Sequence, residues 1–409
     1  MSEQDSVPGS LLGVLEIGEE EIAEVVRVLR RKTMFRFLHD EATSESAQLE
    51  RWYREQVGTD YALALGGGGT GALICALVGL GIGSGDEVIV PGYTYIATAA
   101  ACLMVGAIPV LAEIDASLTL DPADVEAKIG PHTRAVIPVH MRGTPARMDA
   151  IRAIADRKGI QVLEDCAQAN GASYQGRPVG SWGHAGAFSL QHYKVVTAGE
   201  AGVVTTSDPE VYRRAAIRHD SAMQFWREDA DWPSFAGENM RLDELRAALA
   251  LVQVRRIGGI LSVCRSIKAR LREGVRDLPG VRLQELPCAE GDCGITFAFF
   301  LPDPATARTF SEKLEARGVP TATIYNKRIP DRHIYTAWDY VLGQKTHDPS
   351  GWPWTAARRP IAYDRDMLPR TLDLLGRCLA IGINQQWRPH HADRVVEAIR
   401  SVHEELGLG

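Results

Sequence analysis

The chain has 409 residues, of which 45% are hydrophobic and 24% charged, a composition that is ordinary for an enzyme with a large core and excludes a disordered or fibrous chain. Its formal net charge of −7 at pH 7 disfavours nucleic acid and anionic membranes as main partners, because both are bound through basic surfaces. The expected partner is therefore a small molecule.

Short apolar runs rich in β-branched residues alternate with amphipathic stretches through the first half of the chain. The runs predict strands at residues 61–65, 87–91, 108–114, 134–140, 160–165, 185–190 and 202–206. The stretches between them, such as "TGALICALVGLG" and "MDAIRAIADRKG", have helical periodicity and end in glycine. This alternation predicts an α/β fold with a mostly parallel sheet.

The second half of the chain has a different pattern. One long helical pattern covers residues 242–278, and a strand at 295–302 and helices at 307–318 and 391–406 follow it. These elements predict a smaller α+β domain. We place the division at residue 255, with an N-terminal segment and large domain at 1–255 and a small C-terminal domain at 256–409.

Several remaining features narrow the class of protein. The apolar run at residues 95–112 is interrupted by Gly106 and Pro109, and the first ten residues are polar, so no membrane span or signal peptide is predicted and a cytoplasmic location is expected. The closest cysteine pair, Cys288 and Cys293, has the wrong spacing for a zinc knuckle, so we predict reduced thiols and no metal site.

Two basic stretches are notable in a chain with a negative net charge. They are "LRRK" at residues 29–32 and "KARLR" at residues 268–272, and both fall within predicted helices. Runs of charge on a helix usually form a solvated face. We therefore predict that both stretches are exposed to solvent.

The stretch "LGGGGTGALICAL" follows the first predicted strand and begins a helix, so its backbone amides form a site suited to phosphate. It also satisfies the dinucleotide pattern G-x-G-x-x-G through Gly66, Gly68 and Gly71. That pattern needs an acidic residue at the end of the second strand, whereas here Glu87 begins this strand and Pro91 ends it. Phosphate binding is therefore favoured, and a nicotinamide-dependent oxidoreductase remains the alternative.

Two charged residues lie at the ends of predicted buried strands. Asp165, in "QVLEDCAQ", either caps the next helix or holds a pyridinium nitrogen protonated. Lys194, in "FSLQHYKVVTAGEAG", has apolar neighbours, and burial of an unpartnered ammonium is costly or lowers its pKa. It either reaches water or acts as an amine nucleophile for Schiff-base chemistry. The phosphate loop, the aspartate and the lysine together favour the second alternative.

The sequence resembles the DegT/DnrJ/EryC1/StrS aminotransferases, which are fold-type I pyridoxal phosphate enzymes known mostly for aminating keto-sugars and cyclitols. The resemblance runs in family order through "LERWYREQVGTDYALALGGGGTGAL", "GDEVIVPGYTYIATAAA", "IPVHMRGTPARMDAI", "LEDCAQANGASYQGRPVG", "FSLQHYKVVTAGEAGVVTT" and "GENMRLDELRAAL". It implies a three-layer α/β/α large domain that binds the cofactor, with a smaller α+β domain after it.

The resemblance also implies roles for residues around the cofactor ring. Lys194 matches the lysine that forms a Schiff base with the cofactor, and Asp165 matches the partner of the pyridine nitrogen. Gln168 matches a residue beside the phenolic oxygen of the ring. Tyr95 matches an aromatic residue that stacks on the ring, with an ordinary strand aromatic as the alternative.

A second set of residues corresponds to the family's phosphate-binding groups. Thr70 and Gly71 match the phosphate-binding turn, and Ser189 matches a hydroxyl that reaches the same phosphate. Asn239 matches an asparagine that the family donates across a dimer interface to the neighbouring subunit's cofactor phosphate. A homodimer with shared active sites is therefore implied, although an asparagine in a loop can simply turn the chain.

The implied activity is transfer of an amino group from an amino-acid donor, glutamate or glutamine, to a ketone or aldehyde of a sugar, cyclitol or related intermediate, through pyridoxal phosphate and pyridoxamine phosphate. The chain departs from the family in its glycine run at residues 66–68 and in "LQHY" before the lysine, so the acceptor stays open. Relatives with histidine in place of the lysine are dehydratases. A dehydratase and a non-catalytic sensor or scaffold remain alternatives, although Lys194 favours amino transfer.

Three further polar residues were weighed for the site. His140, in "PVHMRG", fits a family pattern near the active site, and a hydrogen-bonded structural histidine is an equal alternative. Arg142 and Arg241 could meet a donor carboxylate, but arginine in an α/β protein more often makes a structural ion pair. None of the three is predicted to be catalytic.

Overall fold

The computed structural model describes residues 6–226, 232–324 and 332–408, and strands alternate with helices through the first half of the chain. The strands are Tyr61–Leu65 (β1), Glu87–Pro91 (β2), Ile108–Ala112 (β3), Thr133–Val136 (β4), Gln161–Asp165 (β5), Ser173–Tyr174 (β6), Arg177–Pro178 (β7), Ala185–Ser189 (β8), Gly202–Thr206 (β9), Arg282–Leu283 (β10), Thr296–Phe300 (β11) and Cys378–Gly382 (β12).

Helices separate and follow these strands. The α-helices are Glu19–Arg31 (α1), Glu45–Val57 (α2), Gly68–Gly79 (α3), Ala97–Met104 (α4), Pro122–Lys128 (α5), Met148–Lys158 (α6), Pro209–His219 (α7), Glu244–Arg255 (α8), Ile257–Val275 (α9), Pro304–Ala316 (α10), Asp339–Leu342 (α11), Pro369–Arg377 (α12) and Pro389–Glu405 (α13). Short 3₁₀ helices lie at Gly13–Glu16, Arg36–Leu38, Met141–Gly143, Met223–Trp226, Tyr335–Ala337 and Trp354–Ala356.

The central sheet has the strand order β1-β9-β8-β5-β4-β2-β3. Strands β3, β2, β4, β5 and β8 are parallel neighbours, whereas β9 is antiparallel to both β8 and β1. Strand β1 therefore runs in the same direction as the parallel strands. All residues of β2, β8 and β9 are buried, in keeping with sequences in which Glu87 is the one charged residue. The predicted mostly parallel sheet is confirmed.

Helices cover both faces of this sheet. Leu63 and Leu65 of β1 lie in a core formed with α3, α4 and α7. Ala62 and Ala64 of the same strand lie in a second core with α2 and α8. Successive strand residues point to opposite faces, so both faces must be covered by apolar groups. The predicted three-layer α/β/α architecture follows from this packing.

The C-terminal region has its own antiparallel sheet, in the order β10-β11-β12. Buried side chains of β11, α9, α10 and α13 form a core that is continuous with one core of the large sheet. A smaller α+β region is thus present after the large sheet. The proposed boundary between residues 255 and 256 stays a prediction.

The single long helix predicted from residue 242 is wrong, because α8 ends at Arg255 and α9 begins at Ile257. The two helices meet at a bend of 47°. Gly258 and Gly259 directly follow the bend, and glycine pairs weaken a helix and favour such kinks. Among the described residues no single helix is long and apolar enough to cross a membrane, and only the bent α8–α9 pair meets that length and hydropathy test.

Candidate active site

A cavity of about 510 Å³ lies at the carboxyl edge of the large sheet. Asp165 and Ser189 are the last residues of β5 and β8, and the residues that follow β1 and β2 complete the same wall. In open α/β sheets, ligands bind beyond the carboxyl ends of the strands, where these segments meet. Six of the residues selected from the sequence line this cavity: Thr70, Tyr95, Asp165, Gln168, Ser189 and Lys194.

Asp165 is a buried carboxylate held by two hydrogen bonds. Thr98 Oγ1 donates to its Oδ2 at 2.8 Å, and Ala167 N donates to its Oδ1 at 3.1 Å. The Thr94 and Thr98 hydroxyls are 2.8 Å apart, and Thr94 is the donor of this bond because the Thr98 proton is given to the carboxylate. Burial raises the pKa of Asp165, while these bonds and the charge of Lys194 oppose the rise. The carboxylate has no ion-pair partner within 4.0 Å among the described residues, so the site suits a cationic group.

Lys194 lies in the loop after β8, and its backbone is firmly held. Lys194 N donates to Gln191 O at 2.9 Å, and Lys194 O accepts from Gly13 N at 3.1 Å. Within the described parts of the chain, its Nζ has neither a hydrogen bond nor an ion pair. Burial lowers the pKa of Lys194, and the negative charges of Asp165 and Glu200 oppose this effect. A lysine with a lowered pKa is more often the free amine, which is the nucleophilic form.

The start of α3 forms an open cradle for an anion. Its N-cap residue supplies no side-chain hydrogen bond, and the amides of Gly68, Gly69 and Thr70 have no acceptor within the helix. A Cβ atom on Gly69 would lie 2.9 Å from Ser189 Cβ, so only glycine permits this close approach. Ser189 Oγ accepts from Gln191 N at 3.3 Å, which leaves its own proton for a ligand. These donors and the helix dipole favour a phosphate.

Gln168 and Tyr95 lie on the wall between these groups. Gln168 Oε1 accepts from Arg142 N at 3.0 Å, which holds the side-chain amide in place. Tyr95 is 43% exposed, and its ring centroid is 5.6 Å from that of His333. A partly exposed aromatic ring at the mouth of the cavity is available to pack against a flat ligand.

Gly71 and Asn239 do not line this cavity. Gly71 lies inside α3, where its N donates to Gly67 O at 3.0 Å and a Cβ atom would lie 3.0 Å from Leu65 Cδ1. Its glycine identity is explained by helix packing. Asn239 is exposed and forms an isolated antiparallel bridge with Asp220. Both cofactor-binding assignments stay predictions, and that of Asn239 concerns the cavity of a partner subunit.

Several polar residues of the cavity wall were not predicted from the sequence, among them Thr98, Glu200, Arg332 and His333. Thr98 had a local signal, because it is a polar residue inside the apolar run at 95–112. Arg332 and His333 had none, because the chain brings them back from the C-terminal region, where Thr94 N donates to His333 O at 2.8 Å. The Arg332 guanidinium has no acidic partner within the described residues.

His140 belongs to a buried hydrogen-bond network. Its Nδ1 accepts from Ala146 N at 3.1 Å, so its proton is on Nε2, which donates to Glu164 Oε2 at 3.0 Å. Glu164 Oε2 also accepts from Gly180 N at 2.8 Å. His140, Glu164 and Cys166 are close enough to hold a metal ion. However, both ring nitrogens are already hydrogen-bonded, and burial raises the pKa of the Cys166 thiol. This donor set fits a structural network better than a metal site.

The two arginines considered from the sequence have protein partners. Arg241 NH1 donates to Asp220 Oδ1 at 2.6 Å. Arg142 Nε donates to the Tyr93 hydroxyl at 2.6 Å. Neither residue lines the cavity. These contacts agree with the structural interpretation of both residues.

The sheet order, the antiparallel β9 and the groups at the carboxyl edge define the class as a fold-type I pyridoxal phosphate transferase. Residues 15–348 match the DegT/DnrJ/EryC1/StrS aminotransferase family. The chain belongs to this family and is an aminotransferase.

Individual relatives agree with this assignment. The chain is 38% identical over 351 residues to a dTDP-3-amino-3,4,6-trideoxy-alpha-D-glucose transaminase of Streptomyces venezuelae, covering 85% of this chain and 84% of the relative. It is 39% identical to an L-glutamine:2-deoxy-scyllo-inosose aminotransferase of Streptoalloteichus tenebrarius, covering 63% of this chain and 64% of that relative. The crystal structure of S. venezuelae DesV in complex with a ketimine intermediate is similar over 98% of this chain and 99% of DesV, with a TM-score of 0.77 and 30% identity.

Proposed function

We propose that this aminotransferase uses pyridoxal phosphate to move an amino group from glutamate or glutamine to a ketone or aldehyde of a sugar, a cyclitol or a related intermediate. The observation that carries the proposal is that three groups line one cavity: the Lys194 amine, which has no partner among the described residues, the buried Asp165 carboxylate and the start of α3. The names of the relatives, which include a sugar nucleotide transaminase and a glutamine-dependent cyclitol aminotransferase, support the substrate classes.

The residues present fit this cofactor. The amides of Gly68, Gly69 and Thr70 and the Ser189 hydroxyl would hold its phosphate, because all four have a free proton facing one region. Asp165 would contact the ring nitrogen, and it needs a cationic partner in its buried position. Tyr95 would pack on the face of the ring, and the Gln168 amide would donate to the ring oxygen. When bound, pyridoxal phosphate supplies an electron-accepting ring and a carbon that carries the amino group between two half-reactions.

Lys194 is the acid and base of the proposed mechanism. Its Nζ would take the proton from the α-carbon of the bound donor and hold it for return, and the lowered pKa of this amine would make that exchange easier near neutral pH. Asp165 would favour a positive charge on the ring nitrogen of the bound cofactor. Thr98 and Thr94 hold the carboxylate in a single orientation through their two hydrogen bonds.

Arg332 is the proposed contact for the donor's α-carboxylate. It lines the cavity, and a guanidinium can hold a carboxylate through two parallel hydrogen bonds. Arg142 is less suited, because its Nε already donates to the Tyr93 hydroxyl. Glu200 is an exposed acid of the same wall and offers no contact for a carboxylate. This charge pattern favours a donor oriented with its carboxylate toward Arg332.

The alternatives drawn from the sequence have less support. A dinucleotide site would need an acid at the carboxyl end of β2, but Glu87 lies at its amino end and pairs with Arg359 at 2.5 Å. A dehydratase would need a different group in place of Lys194. His192 is exposed and does not line the cavity.

We also propose that the enzyme is a cytoplasmic homodimer. Support for the dimer comes from the family resemblance and from the exposed position of Asn239 outside its own chain's cavity. The partner's Asn239 would add a donor for a phosphate dianion, and a two-fold dimer shares such a ligand reciprocally. The seven buried, free cysteines suit a reducing compartment.

The dimer proposal is tested by mixing two inactive variants, Lys194→Ala and Asn239→Ala. Refolding the chains together should restore part of the activity, because one site of each mixed dimer has both wild-type residues. A fully active monomer in sedimentation at the assay concentration would refute the shared site.

A spectrum of the purified protein tests the main proposal. We expect an absorption band of lysine-bound pyridoxal that borohydride removes, and its conversion to the pyridoxamine form by L-glutamate or L-glutamine. A keto-sugar or cyclitol ketone should then restore the band, with the new amine identified by mass spectrometry. A colourless protein that does not bind pyridoxal phosphate, or a product without nitrogen, would contradict the proposal.

A further inference from the structure

A second cavity, of about 370 Å³, lies between α9 and residues 283–294. Four basic side chains line it at a spacing of three or four residues, three from one face of α9 and one from the residue that caps its end: Arg265, Lys268, Arg272 and Arg276. It shares no lining residue with the first cavity. The prediction that residues 268–272 form a solvated face is wrong for Lys268, which is 3% exposed. A buried acidic partner, distant in sequence, explains this burial.

That partner is Asp292, whose carboxylate accepts three hydrogen bonds. Oδ1 accepts from Lys268 Nζ at 2.8 Å and from Gly294 N at 2.7 Å. Oδ2 accepts from Thr144 Oγ1 at 2.6 Å. Asp292 therefore compensates the charge of Lys268, and none of its three donors belongs to Arg265 or Arg272.

The remaining acid of the cavity is at its rim. Glu273 lies 3.0 Å from Arg276, and both side chains are largely exposed. The cavity thus has four basic and two acidic residues, which leaves a charge of 4 − 2 = +2. After these two pairs are formed, the excess charge belongs to Arg265 and Arg272.

Arg265 and Arg272 are positioned by neutral groups only. Arg265 Nε donates to Asp292 O at 2.7 Å, and Arg272 NH1 donates to Gln284 O at 2.9 Å. Neither guanidinium has a carboxylate within 4.0 Å in the ranges that the structure describes. Burial lowers the pKa of Arg272, and the charge of Asp292 opposes this only in part. A partly desolvated guanidinium without an anion is unfavourable, and a bound anion would relieve that cost.

We propose that this cavity is a second ligand site, which binds a small oxyanion carrying phosphate or carboxylate groups. Arg265 and Arg272 would hold the anionic groups, because the planar guanidinium matches both in geometry. Leu283 and Leu286 form the opposite wall and would contact the carbon part of an organic ligand. The two arginines are held by backbone carbonyls before any ligand arrives, so little side-chain entropy is lost on binding.

Calorimetric titration tests this site. The protein, purified with pyridoxal phosphate present to fill the α3 cradle, is titrated with pyrophosphate in one arm and succinate in the other, at constant ionic strength. We expect one binding site per chain for at least one probe, and the stronger probe identifies the ligand as a phosphate or a carboxylate. Absence of binding in both arms would overturn the proposal.

Matched variants separate a specific site from general surface charge. Arg272→Gln should weaken binding by about tenfold or more, the loss expected for a charge-assisted hydrogen bond. Arg270→Gln is the control, because Arg270 lies on the same helix but is exposed and donates to Asp393 outside the cavity. Leu286→Glu retains all the arginines and places a carboxylate in the cavity wall, so it should also abolish binding of an anion. This second variant tests the site even if the Arg272 variant does not fold. Equal losses in the Arg270 and Arg272 variants would contradict a defined site.

Discussion

Thr98→Val tests whether the buried hydroxyl pair sets the charge state of Asp165. Valine has nearly the shape of threonine, so the core around α4 is retained. The change removes the hydrogen bond to Asp165 Oδ2 and leaves only the 3.1 Å bond from Ala167 N to Oδ1. It also leaves the Thr94 hydroxyl without its acceptor. The variant therefore changes the hydrogen bonding of one carboxylate with little change in volume.

A hydrogen bond to a charged group contributes about 1.5 to 3 kcal/mol, which corresponds to a further rise of about one to two units in the pKa of Asp165. Burial already raises this pKa above the ordinary value in the cofactor-free protein. For an acid whose folded-state pKa is raised, the stability is complete below the unfolded-state pKa and is lost as the pH rises through the folded-state pKa. The Thr98→Val variant should therefore lose more stability toward neutral pH than the wild type.

The assay is urea unfolding of the cofactor-free protein from about pH 4 to pH 8, with Thr98→Ser as the control. Serine keeps the hydroxyl and loses one methyl group. The Thr98→Ser change should therefore lower the free energy of unfolding by about 1 kcal/mol at every pH. We expect the difference in free energy of unfolding between the valine and serine variants to widen toward neutral pH. We also expect the cofactor-loaded valine variant to turn over more slowly than the serine variant. A gap that is constant with pH would refute the proposed role of Thr98.

Three further variants address the other groups of the cavity. Lys194→Ala should abolish turnover and the lysine-bound cofactor band while circular dichroism stays unchanged, because Nζ has no partner in the described structure; substantial remaining activity would exclude Lys194 as the nucleophile. Asp165→Asn should keep the cofactor but lose roughly 3 to 4 kcal/mol of transition-state stabilisation, and near-normal turnover would show that Asp165 only caps the following turn. Arg332→Gln should raise the KM for the amino donor by about tenfold or more and leave the acceptor KM unchanged, whereas Arg365→Gln should change neither, because Arg365 is exposed, pairs with Asp339 and does not line the cavity. An unchanged donor KM would place the carboxylate contact elsewhere.

The sequence predicted the structure best where the burial of a single strand determines its residue types. Strands β1, β2 and β9 begin and end at the predicted residues, because strands buried on both faces are rich in apolar and β-branched residues. The ends of such strands meet at one edge in a parallel sheet, so the predicted lysine, aspartate and glycine loop line one cavity.

The sequence was less informative where contacts join distant parts of the chain. The strand predicted at residues 134–140 ends at Val136, because Pro138 has no N–H to donate and interrupts the ladder, and pairing resumes only as an isolated parallel bridge between Val139 and Asp165. Arg332 reaches the cavity through a segment with no pattern of its own. Lys268 was assigned to solvent because its partner, Asp292, follows only after a helix and a turn.

The two cavities show why an unpaired charge is a better guide to a site than a basic or acidic run. Most ionic groups of this protein are compensated: Lys268 has Asp292, and Arg36 and Glu50 form a buried pair at 2.8 Å. Such pairs are explained by folding alone. Lys194 and Arg272, in contrast, are held by backbone contacts, and each has a pKa lowered by burial without a carboxylate in contact. Folding gains nothing from a desolvated charge that lacks its counter-charge, so each position is best explained by a group that arrives from outside the chain.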